Sequence, residues 1–254
     1  MKRYSLVLTI CTLLLSPVLV ASARELSEVE DLIVELSEKV DTYTAAIEMK
    51  GESAEGPMKV KMEGRGTLEG IRRDDKNLYR LSLDQNLDMG EHKMEHKILT
   101  VFTGDMVWTE MDMMGQTIVV KAKPDTQSDV IVGSGRESFK QLREEYDIAL
   151  LPDAVVNEEP VYVLELRPKQ NSEASPDEAE QEVQFDKALL SFSQKTGLPI
   201  KMVMFDSSET PLMQFIYKDY KINPEIEAAR FEYTPPEGAM VMDAEAMQQM
   251  GGMF

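Results

Sequence analysis

Residues 200–205 read IKMVMF and residues 58–63 read MKVKME, and both alternate with a period of two. In the first, Ile200, Met202 and Met204 stand opposite Lys201, Val203 and Phe205; in the second, Met58, Val60 and Met62 stand opposite Lys59, Lys61 and Glu63. Successive side chains of a strand point to opposite faces, so this spacing belongs to β-structure with an apolar face. Val161 to Leu166 adds a compact apolar run of strand length. Turn signals separate such runs at hairpin spacing: Gly56-Pro57, Thr103-Gly104-Asp105, Met114-Gly115-Gln116, Thr196-Gly197 and Glu209-Thr210-Pro211. The body of the chain is therefore expected to be a meandering antiparallel sheet, giving an α+β, mainly antiparallel fold. A face rich in Leu, Met, Ile and Val needs a cover, supplied either by a second sheet or by helices around which the sheet curls.

Two helices stand out against this pattern. Ser27 and Glu30 have capping-box spacing ahead of Val29, Leu32, Ile33, Leu36 and Val40, which predicts an amphipathic helix over roughly 27–41 with an acidic outer face. Ser134 and Glu137 repeat the spacing ahead of Phe139, Leu142 and Tyr146, which predicts a short second helix. Residues 168–184, PKQNSEASPDEAEQEVQ, hold no large apolar anchor except Val183 and are expected to form an exposed acidic loop between strands.

The N-terminus reads as an export signal. Lys2 and Arg3 precede an apolar run from Leu6 to Val20, and Ala21-Ser22-Ala23 supplies a small-residue cleavage site, so residues 1–23 are expected to be removed. The apolar run is shorter than the roughly 20 residues that span a bilayer. Cys11, the only cysteine, leaves with it, and residues 24–254 are expected to form a single cysteine-free domain in the periplasm. Removal of Lys2 and Arg3 makes the chain two units more negative than the formal charge of -19 carried by all 254 residues. Nucleic-acid affinity rests largely on Lys and Arg replacing condensed counterions, so this polyanion is a poor candidate for a nucleic-acid partner.

Several stretches together resemble the LolA-type periplasmic lipoprotein carriers. They are the amphipathic first helix, Tyr43-Thr44-Ala45, Gly66-Thr67-Leu68 followed by Arg72-Arg73, and Gly104-Asp105-Met106-Val107-Trp108. In the C-terminal half they are Leu198-Pro199, Asp206 before a turn, Lys221-Ile222-Asn223, and Phe231-Glu232-Tyr233-Thr234-Pro235-Pro236-Glu237-Gly238-Ala239. The last of these is the most specific, and the likeness runs from Ser27 to Asp243. It implies an unclosed, curved half-barrel sheet whose concave face is covered by helices. It also implies a carrier that takes acyl chains of lipoproteins, or another lipid, from an inner-membrane release complex to an outer-membrane acceptor. The expected protein is a monomer, needs no cofactor and is not an enzyme.

Leu36, Met49, Met58, Met62, Trp108, Met202, Met204 and Met213 are the candidate lining of an acyl-chain cavity. Methionine is unbranched and polarisable, which suits a deformable wall; the alternative is that these methionines fill an irregular core. The resemblance further implies that Arg72 or Arg73 latches a lid helix by hydrogen bonds to its carbonyls, although Asp74-Asp75 stands where the carriers usually place a proline. An exposed charge cluster is the alternative.

Two other readings compete. His92-Lys93-Met94-Glu95-His96 satisfies the H-x-x-E-H pattern of inverted zinc peptidases, which requires a helix. Lys97 to Phe102 continues as a strand-like run, on which His92, Met94 and His96 would share one face and form at most a soft metal site, to which Met240, Met242, Met247, Met250 and Met253 would add thioethers. No G-x-S-x-G elbow occurs, and Gly133-Ser134-Gly135 lacks the lysine and glycine spacing of a phosphate loop. The remaining alternative is an envelope sensor on the same fold that regulates a membrane partner.

Overall fold

The computed structural model describes residues 24–53, 60–73, 76–90, 92–113, 115–124, 135–169 and 185–244. The signal segment 1–23, Met58, Asp74-Asp75, Ser134, most of the acidic stretch 168–184, and Met247, Met250 and Met253 lie outside them.

The chain opens with helix α1 (Leu26–Ser37) and then runs through β1 (Thr42–Ser53), β2 (Val60–Arg73), β3 (Lys76–Asp88), β4 (Lys93–Phe102), β5 (Val107–Met113) and β6 (Gln116–Ala122). Helix α2 (Arg136–Glu145) leads directly into β7 (Tyr146–Val156). The remaining strands are β8 (Glu159–Pro168), β9 (Lys187–Ser193), β10 (Pro199–Phe205), β11 (Pro211–Ile222) and β12 (Met240–Asp243). All of these strands belong to one sheet of order β12-β6-β5-β4-β3-β2-β1-β11-β10-β9-β8-β7, which leaves β12 and β7 as two unjoined edges. Every pairing among the described residues is antiparallel except that of β12 with β6. The fold is thus the expected unclosed α+β half-barrel.

Glycine shapes the middle of the sheet. On the inner face of β2, a Cβ on Gly66 would stand 1.8 Å from the Ser82 carbonyl oxygen, and one on Gly70 would stand 2.3 Å from the Tyr43 ring. These positions admit only hydrogen, which lets neighbouring backbone and a large aromatic ring occupy the space a side chain would fill.

Both helices pack on the inner face of β8–β10. Val29, Ile33 and Val34 of α1 and Phe139 and Leu142 of α2 form one cluster with Tyr162, Leu164, Leu166, Leu190, Phe192 and Met202. Gly197, in the β9–β10 turn with φ +69, abuts α1 so closely that a Cβ would lie 2.3 Å from the Ile33 carbonyl oxygen. A second cluster on the same face joins Tyr43, Ile47, Met49, Leu68, Tyr79, Phe102 and Tyr217.

Neither helix takes its predicted serine as the N-cap. Glu25 is the N-cap of α1 and Gly135 that of α2, neither with a side-chain cap bond. Helix α1 ends at Ser37, short of Val40, and Tyr146 opens β7 instead of closing the helix, because its ring is buried beside the sheet.

The motif around Phe231 crosses the outer face. Arg230 donates to Glu69 Oε2 from Nε and Nη2 at 2.8 and 2.6 Å, Tyr233 donates to Glu110 Oε2 at 2.6 Å, and Phe231 is 2% exposed. The strap ends as β12 on the β6 edge, so Met240 and Met242 lie in a strand.

Candidate functional site

Cross-strand register assembles the inner face into rows perpendicular to the strands. Ile148 faces Leu166, Leu166 faces Ala188, Ala188 faces Met204, and Met204 faces Met213. The same row continues through Gly51, Met62 and Leu87 to Met94. Directly opposed residues share a face, so this is one apolar stripe across nine strands. With strands about 4.8 Å apart, the part from Met204 to Met94 is ~24 Å long. The adjacent row runs Leu150, Leu164, Leu190, Met202, Phe215, Met49 and Gly64 before turning polar at Gln85 and His96.

Met49, Met62, Met202, Met204 and Met213 from the sequence therefore fall on one face in two neighbouring rows. A Cβ on Gly51 would lie 2.9 Å from Met213 Sδ, so the absence of a side chain there gives that thioether its place. Leu36 packs at the edge of the helix-covered cluster. Trp108 is on the other face: it faces Val101 while its neighbour Val107 faces Phe102, and its ring stands 5.5 Å from that of Tyr233 in the outer strap. It does not join the methionine rows.

The rows open into an apolar pocket of about 20 Å³ walled by Tyr146, Leu166, Phe185, Leu190, Met202 and Met204. Ligand pockets for small molecules span roughly 300–1,000 Å³, so this one is far too small for such a ligand and holds space for about one water. Its rim is a ring pair: Tyr146 and Phe185 stack with centroids 5.8 Å apart and planes at 10°. Sequence reasoning misses both residues; helical spacing assigns Tyr146 to a helix, and Phe185 stands at the end of the acidic stretch with no periodic partner.

Two polar devices hold the helices in place. Arg72 Nη2 donates to the Ser37 carbonyl oxygen at 3.0 Å, at the C-terminus of α1. The basic side chain thus meets the negative end of the helix dipole, at a carbonyl that also accepts from Val40 N at 3.0 Å. Arg73, its neighbour on the strand, is exposed and points to the opposite face. Between the helices, Arg143 pairs with Glu30 through both carboxylate oxygens, and Arg136 Nη1 donates to Asp31 Oδ1 at 2.9 Å. Glu30 is only 5% exposed, and its burial raises its pKa above the ordinary carboxylate value against the opposing pull of Arg143. These residues border a groove of about 410 Å³ that Val34 and Phe139 also line.

The histidines are not brought together. Residues 93–102 form a strand, so H-x-x-E-H lacks the helix that zinc peptidases require. His92 precedes β4, while His96 lies on the inner face with Nδ1 3.2 Å from the Asp112 carbonyl oxygen. Among the described residues no group of three His, Cys, Asp or Glu side chains has metal-holding geometry.

An unclosed, mostly antiparallel sheet with two helices on its inner face is consistent with a LolA-like α+β half-barrel. Solved structures of similar shape include an uncharacterized conserved protein from Thermus thermophilus, with 16% identity over 85% of this chain and 99% of that one at a TM-score of 0.50. MucB overlaps at 15% identity, 85% and 64% coverage and a TM-score of 0.44, this chain spanning under two thirds of the MucB length. A putative outer membrane lipoprotein-sorting protein domain from Vibrio parahaemolyticus overlaps at 12% identity, 81% and 94% coverage and a TM-score of 0.35. At these identities the likeness is one of fold. No protein-family model matches the sequence, and no curated protein matches it.

Proposed function

We propose that the protein is a periplasmic carrier, and not an enzyme, which shelters acyl chains of lipoproteins or of another lipid on the inner face of its half-barrel and moves them toward the outer membrane. The observation that carries this reading is the methionine row, which continues from beneath two latched helices to the exposed Met94. A sheet whose only task was to fill a core would have no need to extend an apolar stripe past its helical cover. Each buried CH₂ contributes about 0.8 kcal/mol, so one long chain supplies at most on the order of 10 kcal/mol. Thioether side chains part and reclose around such a chain more readily than branched ones. The Arg72 bond to Ser37 is then the latch of the lid, and the excess of acidic residues keeps an apolar-cavity protein dispersed and away from anionic membrane surfaces. An inner-membrane complex that loads the carrier and an outer-membrane acceptor that unloads it complete the route.

The test is native mass spectrometry of protein isolated from its own periplasm, followed by incubation with a diacylated peptide. Copurifying lipid or lipopeptide, or uptake of the peptide by emptied protein, is the expected result. Protein that emerges empty and takes up no acylated peptide refutes the carrier.

A further inference from the structure

The pocket between Tyr146 and Met204 sits where the helical cover stops. Helix α2 ends at Glu145, one residue before Tyr146, and the inner face beyond it is closed by the Phe185 ring lying flat on Tyr146. The two partners are held very differently. Tyr146 is buried and opens strand β7, paired to Pro168 across the ladder. Phe185 is half-buried and precedes β9, which begins at Lys187; the nearest backbone bond is from Asp186 N to the Phe205 carbonyl oxygen at 2.9 Å. A side chain on such a segment swings without breaking any rung of the sheet. Behind it lie Leu166 and Met204, both members of the nine-strand apolar row.

We propose that Phe185 is the displaceable plug of the acyl-chain site: a single straight acyl chain enters by replacing the Phe185 ring on Tyr146 and lies along the row from Met204 to Met213 and Met62. This rests on the carrier reading and gives it a point of access and an orientation, with the methyl end of the chain following the methionines. In the unloaded protein the ring fills the place of the first few methylenes, which is why the pocket measures only about 20 Å³. The chain and the ring offer the same kind of apolar contact, so exchange of one for the other leaves no wet or empty void.

The experiment follows cis-parinaric acid, whose emission rises in apolar surroundings, on mixing with the wild-type protein and with Phe185→Ala, Phe185→Leu and Met204→Trp. Phe185→Ala is expected to accelerate association several-fold, Phe185→Leu less, and Met204→Trp to weaken binding at least tenfold by filling the space behind the plug. Thermal unfolding identifies any variant that has lost its fold, and Phe185→Leu keeps an apolar filler in place for that reason. Wild-type binding with rates unchanged in both Phe185 variants overturns the plug while leaving the carrier intact, as does unchanged affinity in a folded Met204→Trp. Absence of binding by every folded form overturns the carrier reading, and the plug with it.

Discussion

Replacing Arg72 by alanine removes the hydrogen bond from its guanidinium to the Ser37 carbonyl and should loosen α1 without disturbing the sheet. The bond is 3.0 Å long and partly buried, with a charged donor. Hydrogen bonds to charged groups contribute about 1.5–3 kcal/mol, and partial solvent exposure places this one near the lower end. A cation at a helix C-terminus adds a few tenths to 1 kcal/mol. The loss is thus about 2 kcal/mol, and since 1.4 kcal/mol is tenfold, the population with α1 lifted should rise roughly tenfold to thirtyfold. Hydrogen exchange read by mass spectrometry on peptides covering residues 26–37 measures this, because exchange through local opening scales with the open population. Arg72→Lys should recover little, since an ammonium lacks the planar fork that meets a carbonyl edge from this position. The reasoning is refuted if α1 exchanges within twofold of the wild-type rate. It is also refuted if β2 and β3 accelerate by the same factor, which would show that Arg72 supports the whole fold and not the lid.

Arg143→Met deprives the buried Glu30 carboxylate of its partner, which raises further a pKa already raised by burial. A group whose folded pKa lies above its unfolded value contributes stability below the unfolded value and loses it as pH rises through the folded one, so the variant should lose about 1–3 kcal/mol at pH 7 and regain most of it on acidification. Tm measured at neutral and at mildly acid pH checks this, and a pH-independent loss contradicts it. Gly66→Ala should be far more damaging than Gly51→Ala, since the first drives a methyl group into the Ser82 carbonyl and the second mainly into the flexible end of Met213. Urea midpoints of the two variants decide it, and equal midpoints would mean that the sheet centre yields where the close approach says it cannot.

The strands were legible because period-two alternation is a local signal, and the common face of Met202 and Met204 was legible for the same reason, whereas that of Met213 depends on the β10–β11 register. Trp108 was misplaced by one step of parity. Which face a hairpin arm presents depends on where its turn closes, and the β4–β5 register that sets Trp108 against Val101 is decided by tertiary pairing. Glu30 carried a helix-start signature, yet its side chain is committed to Arg143, more than a hundred positions away. The Phe231 motif was visible as a motif, but its purpose as an outer strap depends on Glu69 and Glu110, which nothing in its own spacing reveals. Of the two adjacent arginines, strand alternation shows that only one can reach the lid; which one requires the register of β2 with β1, where Gly70 lies opposite Tyr43.

A carrier that is nearly filled when unloaded binds more weakly than its apolar surface suggests, and that suits its task. One acyl chain brings at most on the order of 10 kcal/mol of burial. Opening the Arg72 latch takes about 2 kcal/mol of that, and exposing a half-buried Phe185 ring takes about 1–2 kcal/mol more. The remaining ~6–7 kcal/mol corresponds to a dissociation constant in the range of tens of micromolar, before any loss of chain and side-chain freedom. A rigid, preformed cavity would keep the whole amount and release its cargo too slowly to hand it on. A second acyl chain would be sheltered at lower cost, since latch and plug are already open, so cargo with two or three chains would be held disproportionately more firmly than a free fatty acid. The nearly filled pocket, the flexible methionines and the single-bond latch are in this sense one device, in which the protein's own side chains compete with the cargo for the same apolar row.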